Sequence, residues 1–200
     1  MAQMEEMSIL IGDLVDLTRD EAQQGAEPED LRLDEVLEEA LDRVRRRRPD
    51  LAFQFEADPW VITGDRFAMG RAPINLIDNA AKWSPQGGTV RVSLKAAKRN
   101  AVLIVDDSGP GIPEDQREKV FERFYRAPES RSMPGSGLGL AIVKQVFDRH
   151  NATIVAEESD DGGARFRVVF PGRPPQTDNE DADATAAETQ ARVIPRKSYS

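Results

Sequence analysis

Asn75 and Asn79 stand four residues apart in NLIDNAAKW, with Lys82 three further on, so a helix here would carry all three on one face. An amide oxygen is a hard, neutral ligand that suits Mg²⁺, an ion that keeps part of its shell as water and phosphate oxygens. A lysine ammonium beside such an ion would meet a phosphate. Taken alone, the same trio also describes an ordinary polar helix face, so its chemistry depends on what the fold brings to it.

Three further clusters supply that company. In VDDSGPGI an apolar run ends on Asp107 and is followed by Gly109 and Gly111, which let backbone approach a ligand closely. A buried carboxylate there could accept a hydrogen bond from an adenine amino group, although the same residues also suit a plain strand-to-loop turn. In GSGLGL, Gly135, Ser136, Gly137, Leu138 and Gly139 run into an apolar-periodic segment, and free N–H groups at a helix start bind phosphate. This loop does not follow a strand and lacks the acidic partner of a dinucleotide fold, which disfavours that alternative. The segment VFERFYR offers Phe121, Phe124 and Tyr125 for packing, with Arg123 and Arg126 for charge.

The elements that must position these residues follow from periodicity. Residues 1–22 read as a helix with a coiled-coil seam at Met7, Leu10, Leu14 and Leu17, and Gln23–Asp30 as a linker. Asp34 is placed to cap a helix that buries Val36, Leu37, Ala40, Leu41 and Val44 and stops at Pro49. Strands are expected at Leu51–Phe55 and Trp60–Ile62, then a helix capped by Asp65 and running through Lys82. Pro73 inside it predicts a kink or break, because a helical proline removes one hydrogen bond and costs about 3 kcal/mol. Two strands, with Val90, Val92 and Leu94 in one and Ala101–Val105 in the other, lead to the Asp107 cluster. After the glycine loop come a helix with Ile142, Val143, Val146 and Phe147 inward, and strands at Thr153–Glu157 and Arg165–Phe170. The chain beyond Gly172 has almost nothing to bury and reads as a disordered acidic tail.

Composition removes several classes of function. The 200 residues hold one domain of ordinary size plus end segments. Cysteine is absent, which excludes disulfide frameworks and thiolate metal sites. Apolar stretches fall short of the roughly 20 residues of a membrane span, so the fragment is expected to be soluble. A net charge of −9 opposes nucleic-acid binding. The basic run Arg45–Arg48 reads as a solvated helix end beside the negative pole of the helix dipole.

In order and spacing the four clusters resemble the N, G1, F and G2 boxes of the catalytic domain of bacterial sensor histidine kinases, over about Leu31 to Pro171. That resemblance implies the Bergerat (GHKL) ATP-binding α/β sandwich of gyrase, Hsp90 and MutL, a mixed sheet with helices on one face, here preceded by one isolated helix. It divides the chain into the end of a dimerisation and phosphotransfer helix (1–22), a linker (23–30), the ATP-binding catalytic domain (31–172) and the tail (173–200). The implied activity is ATP:protein-histidine phosphotransfer with ATP and Mg²⁺. Its partners would be the chain's own dimerisation domain, in a homodimer, and the receiver domain of a response regulator, with no nucleic acid. The setting would be the cytoplasmic part of a kinase anchored in the membrane by segments outside this chain. By the same resemblance Asn75 and Asn79 hold Mg²⁺ and phosphate, Lys82 contacts phosphate or ribose, Trp83 packs near the nucleoside and Asp107 reads adenine. Gly109 and Gly111 admit the base. Gly135, Ser136, Gly137, Leu138 and Gly139 form the lid, and Arg126 and Arg131 are candidates for the γ-phosphate. The first helix and the arginine-rich segment are further similar to envelope-stress sensor kinases of actinobacteria.

Three departures stand out. The acceptor histidine has no counterpart, and the single histidine, His150, is placed to be structural. Gly163-Ala164 stands where the family commonly has Gly-Thr, and Pro73 interrupts the N-box helix. Two rivals therefore stay open: an ATP hydrolase of the gyrase type, and a nucleotide-binding or interaction module without turnover. Hydrolases of that type place a glutamate where this chain has Asn75, which cannot act as a base.

Overall fold

The protein is described from a computed structural model over residues 27–127 and 135–176. The helix expected over 1–22, Arg131 and all but the start of the acidic tail lie outside these residues. In chain order the elements are β1 (Glu29–Arg32), α1 (Leu33–Arg47), β2 (Ala52–Ala57), β3 (Val61–Gly64), α2 (Arg66–Trp83), β4 (Thr89–Ala96), β5 (Asn100–Asp106), α3 (Gly139–Arg149), β6 (Thr153–Glu158) and β7 (Ala164–Pro171).

Alternation builds the sheet. Val90, Val92 and Leu94 of β4, Ala101, Leu103 and Val105 of β5, and Phe166, Val168 and Phe170 of β7 point to one face and are buried. Their neighbours Arg91, Ser93, Arg165 and Arg167 line the opposite, wetter face. The strand order is β2-β4-β5-β7-β6, with β2 parallel to β4 and every other pairing antiparallel. All three helices lie on the apolar face, α2 between α1 and α3. Leu37, Leu41 and Val44 come from α1, Met69, Leu76 and Ile77 from α2, and Val143 and Phe147 from α3. Phe147 meets Phe170 edge-on at 5.0 Å, joining α3 to the sheet. The expected mixed sheet with helices on one face is what forms.

Local expectations fail at three places. Glu29 and Asp30, placed in a linker, belong to β1, which pairs antiparallel with β3 in a small second sheet. Polar strand ends of four residues carry too little period to be read from sequence. Asp34 does not cap α1: the N-cap is Arg32, and Asp34 instead accepts from Trp60 N at 3.1 Å and pairs with Arg32. Its carboxylate thereby ties the start of α1 to the chain entering β3. Finally, α2 is not broken at Pro73, which sits buried in one continuous 18-residue helix. Asp65 caps it as expected, its Oδ1 accepting from Phe67 N at 2.8 Å and Ala68 N at 3.2 Å. That cap and the core contacts of Met69, Ala72, Leu76 and Ile77 hold helical geometry through the proline.

Candidate functional site

β5 delivers two adjacent carboxylates with opposite fates. Asp106 is taken up by Arg165, whose Nε and second guanidinium nitrogen both donate to it at 2.8 Å. Asp107, 2% exposed, turns under the helices. Its Oδ1 accepts from Gly109 N at 2.8 Å and Ala164 N at 3.0 Å, while Oδ2 is buried with no hydrogen-bond partner. Burial pushes this carboxyl above the usual range, against the pull of the two backbone N–H groups, with Asp106 adding to the rise. A buried acceptor left open in this way is suited to an N–H donor from a ligand.

The cavity onto which Asp107 opens has a volume of about 210 Å³ and is walled by Trp83, Ile112, Val120, Leu140 and Ala164, a flat apolar slot. Gly163 lets the turn between β6 and β7 close over the Asp107 backbone, since a Cβ there would sit 2.0 Å from its carbonyl oxygen. Gly109 is close-packed for the same reason against Trp83. Ala164 contributes a backbone N–H and a methyl wall but no hydroxyl, so the polar side-chain contact in doubt at this position is absent.

Asn79 borders both this slot and a wider cleft of about 420 Å³, so the two are continuous. The cleft is lined by Asn75, Asp78, Asn79 and Lys82 of α2, Tyr125 and Arg126 before the loop, and Gly135, Ser136, Gly137 and Gly139 after it. Asn75 Nδ2 is buried without a partner. Burial lowers the Lys82 ammonium below the ordinary lysine range, Arg126 lowers it further, and Asp78 opposes them. The cleft wall is thus a desolvated cationic surface at the N-terminal end of α3, where the helix dipole also favours an anion. Gly137 (φ +74°) can turn only as glycine, and a Cβ on it would lie 2.8 Å from Tyr125 O. Its carbonyl accepts from Phe124 N at 3.0 Å, which ties the start of α3 to the segment that follows Phe121.

Of the residues expected at the site, Asn75, Asn79, Lys82, Trp83, Asp107, Gly111, Arg126, Gly135, Ser136, Gly137 and Gly139 line the slot or the cleft, Gly109 bonds Asp107 behind it, and Arg131 lies outside the described residues. Leu138 turns inward as the N-cap of α3, 1% exposed, and Leu140 lines the cleft instead. Phe124, expected to pack, is 63% exposed at φ +64°, whereas Phe121 does pack, edge-on against Phe166. His150 lies at the far end of α3, where Nε2 accepts from Asp65 N at 3.0 Å and Nδ1 faces Val146 O at 2.7 Å. It ties the C-terminus of α3 to the cap of α2. Sequence reasoning missed the apolar wall of Ile112, Val120 and Leu140, and it missed Arg47, which reaches the cleft from α1. No sequence signal separates these from ordinary core and surface residues.

A deep carboxylate beside an apolar slot, opening into a cleft at a helix start, is thus set in an α/β sandwich of one mixed sheet under three helices. The chain belongs to the family of histidine kinase-, DNA gyrase B- and HSP90-like ATPases, which it matches over residues 64–174. It is 51% identical over 188 residues to the signal transduction histidine-protein kinase/phosphatase MprB of Mycolicibacterium vanbaalenii, covering 92% of this chain and 39% of that protein. The MprB of Mycobacterium leprae is 51% identical over 179 residues, covering 87% of this chain and 34% of that protein. The chain thus spans little more than a third of these relatives. Among solved structures, the mycobacterial sensor histidine kinase MprB superposes with a TM-score of 0.68 at 46% identity, covering 74% of this chain and 99% of that one. The catalytic domain of the histidine kinase ThkA gives 0.64 at 26% identity, covering 74% and 99%. Among the described residues no helix is long and apolar enough to cross a membrane.

Proposed function

We propose that this chain is the ATP-binding catalytic domain of a sensor histidine kinase, passing the γ-phosphate of ATP to a histidine on a dimerisation domain for relay to a response-regulator aspartate. The observation that carries this is Asp107: one oxygen saturated by two backbone N–H groups, the other buried and open to the slot. Adenine's amino group is the donor that would complete it. The base then lies between Ile112, Leu140 and Trp83, and the phosphates extend past Asn79 into the cleft toward Lys82.

Phosphoryl transfer asks little covalent chemistry of the protein and much positioning and charge neutralisation. Asn75, Asn79 and Lys82 do this work. The amide oxygens of Asn75 and Asn79 suit Mg²⁺, since they are hard and neutral and leave coordination positions for phosphate and water. No cluster of three carboxylate or histidine ligands competes for the ion among the described residues. Once bound, Mg²⁺ would neutralise phosphate charge. Lys82, desolvated and crowded by Arg126, regains a favourable environment when a phosphate oxygen reaches it. In the transfer itself the bond from the γ-phosphorus to its bridging oxygen breaks, a phosphorus–nitrogen bond forms at the acceptor imidazole, and ADP leaves.

A hydrolase is disfavoured because Asn75 stands on α2 where hydrolases of this family type place a glutamate, and an amide cannot act as a general base. A module without turnover loses one of its supports, since Pro73 leaves α2 intact. The full-length kinase is placed in the membrane through segments outside this chain, with this domain in the cytoplasm. Titration with Mg·ATP, followed by phosphotransfer to an intact dimerisation domain added in trans, tests the assignment. Saturable binding and acid-labile label on the added domain are expected. Binding without transfer would leave only the nucleotide-binding module standing.

A further inference from the structure

The arginine run that closes α1 looks in sequence like four equivalent solvated cations, but the fold gives them separate tasks. Arg45 pairs with Asp42 one turn back. Arg48 donates to the Ala81 carbonyl of α2 and forms a two-toothed pair with Asp50, at 2.9 and 2.8 Å, which pins the end of α1 against the end of α2. Arg46 is exposed and borders no part of the cleft. Arg47, held at the pinned end, lines the cleft together with Asn75, Asn79 and Lys82.

We infer that Arg47 is a polyphosphate-binding residue of this domain, reaching the phosphates from the α1 side of the cleft. In the ligand-free protein its guanidinium stands 3.5 Å from Asp78 Oδ1, at the outer edge of an ion pair, with both side chains about half exposed. A contact so long and so wet holds weakly. A polyphosphate carries several charges and offers parallel oxygens to the planar guanidinium fork, so it displaces a single exposed carboxylate. The lining also suits an anion: Arg47 and the desolvated Lys82 reach it from α1 and α2, beside Asn75 and Asn79. Asp78 therefore parks Arg47 at the wall until nucleotide arrives.

The inference rests on nucleotide binding at this cleft, and the test separates the two. Calorimetry of the whole chain with Mg·ATP and with adenosine compares the parent, Arg47→Ala, Arg47→Lys and the control Arg46→Ala, which removes the same charge one residue away. Arg47→Ala is expected to weaken ATP roughly fivefold and leave adenosine unchanged, with Arg47→Lys intermediate and Arg46→Ala close to the parent. In an Asp78→Asn background the Arg47→Ala loss should persist, because the partner is phosphate and not Asp78. Equal losses for ATP and adenosine, equal losses at Arg46 and Arg47, no loss at all, or disappearance of the loss in the Asp78→Asn background would each overturn the role of Arg47. Absence of ATP binding by the parent would instead remove the nucleotide assignment itself.

Discussion

At the scale of single residues, Asp107 and Lys82 are both held where burial opposes their charged forms. Two backbone N–H groups claim Asp107 Oδ1, so an amide at this position must turn its oxygen to them and its NH₂ to the slot. Asp107→Asn therefore faces adenine with a donor where an acceptor is needed, and ATP affinity measured by calorimetry should fall roughly ten- to a hundredfold with the fold intact. The same carboxyl fixes a pH dependence. Its folded pKa lies above the ordinary aspartate value of 3.8, so the fold gains proton-linked stability as pH falls through the folded pKa toward that value. Binding needs the ionised form and weakens over the same window, so ATP affinity should be lost on acidification before the fold is. Lys82 has the opposite sign. Its pKa is depressed, so its charge opposes folding at neutral pH, and that cost is relieved as pH rises through the folded pKa toward 10.5. Lys82→Met should raise the melting temperature of the ligand-free chain while weakening ATP by about tenfold or more, a trade visible in thermal shifts with and without nucleotide.

At the scale of elements, α2 carries most of the site and also a proline that its position penalises. Alanine at residue 73 would restore the hydrogen bond to the Met69 carbonyl and remove ring crowding, a gain of about 3 kcal/mol on helix propensity. Against this stands the loss of buried ring methylenes at about 0.8 kcal/mol each. Pro73→Ala should therefore stabilise the chain by about 1 kcal/mol in urea denaturation. Gly163 is held in the other direction. A methyl group on it would lie 2.0 Å from the Asp107 carbonyl oxygen, so there is no room for one. Gly163→Ala should push the β6–β7 turn off Asp107, costing about 2 kcal/mol or more of stability and most of the nucleotide affinity, both readable from one denaturation series with and without ATP.

At the scale of the whole molecule, the proposed phosphotransfer needs an acceptor, and the one histidine of this sequence is His150. His150 is committed at both ring nitrogens, to Asp65 N and Val146 O. It also stands beyond the full length of α3, whose 11 residues span about 17 Å at 1.5 Å per residue. In-line transfer brings the reacting atoms to about 3 to 3.5 Å. The chain incubated alone with γ-labelled ATP should stay unlabelled, and label should appear on a dimerisation domain added in trans. Asn79→Ala should abolish that label. Stoichiometric label on His150 would contradict the geometry.

The sequence by itself determined the pieces that repeat or punctuate. Alternation in Val90–Leu94, the apolar run Ala101–Val105, the Asp65 cap, and the spacing of Asn75, Asn79, Lys82, Asp107 and the three loop glycines are properties of short windows, and they predicted the sheet and α2 and named candidates for the site. What depends on atoms far apart in the chain was decided only in three dimensions. Whether Asp106 or Asp107 is the open carboxylate hangs on Arg165 and Ala164, more than fifty residues away. Whether Asp34 caps a helix hangs on the Trp60 backbone, which β1–β3 pairing brings to it. Whether Pro73 breaks α2 hangs on the core that surrounds it. Arg47 became part of the cleft because Arg48 and Ala81 lock the ends of α1 and α2 together. A charge on an exposed helix end has the same local pattern wherever that end points, so only packing could say that this one points at phosphate.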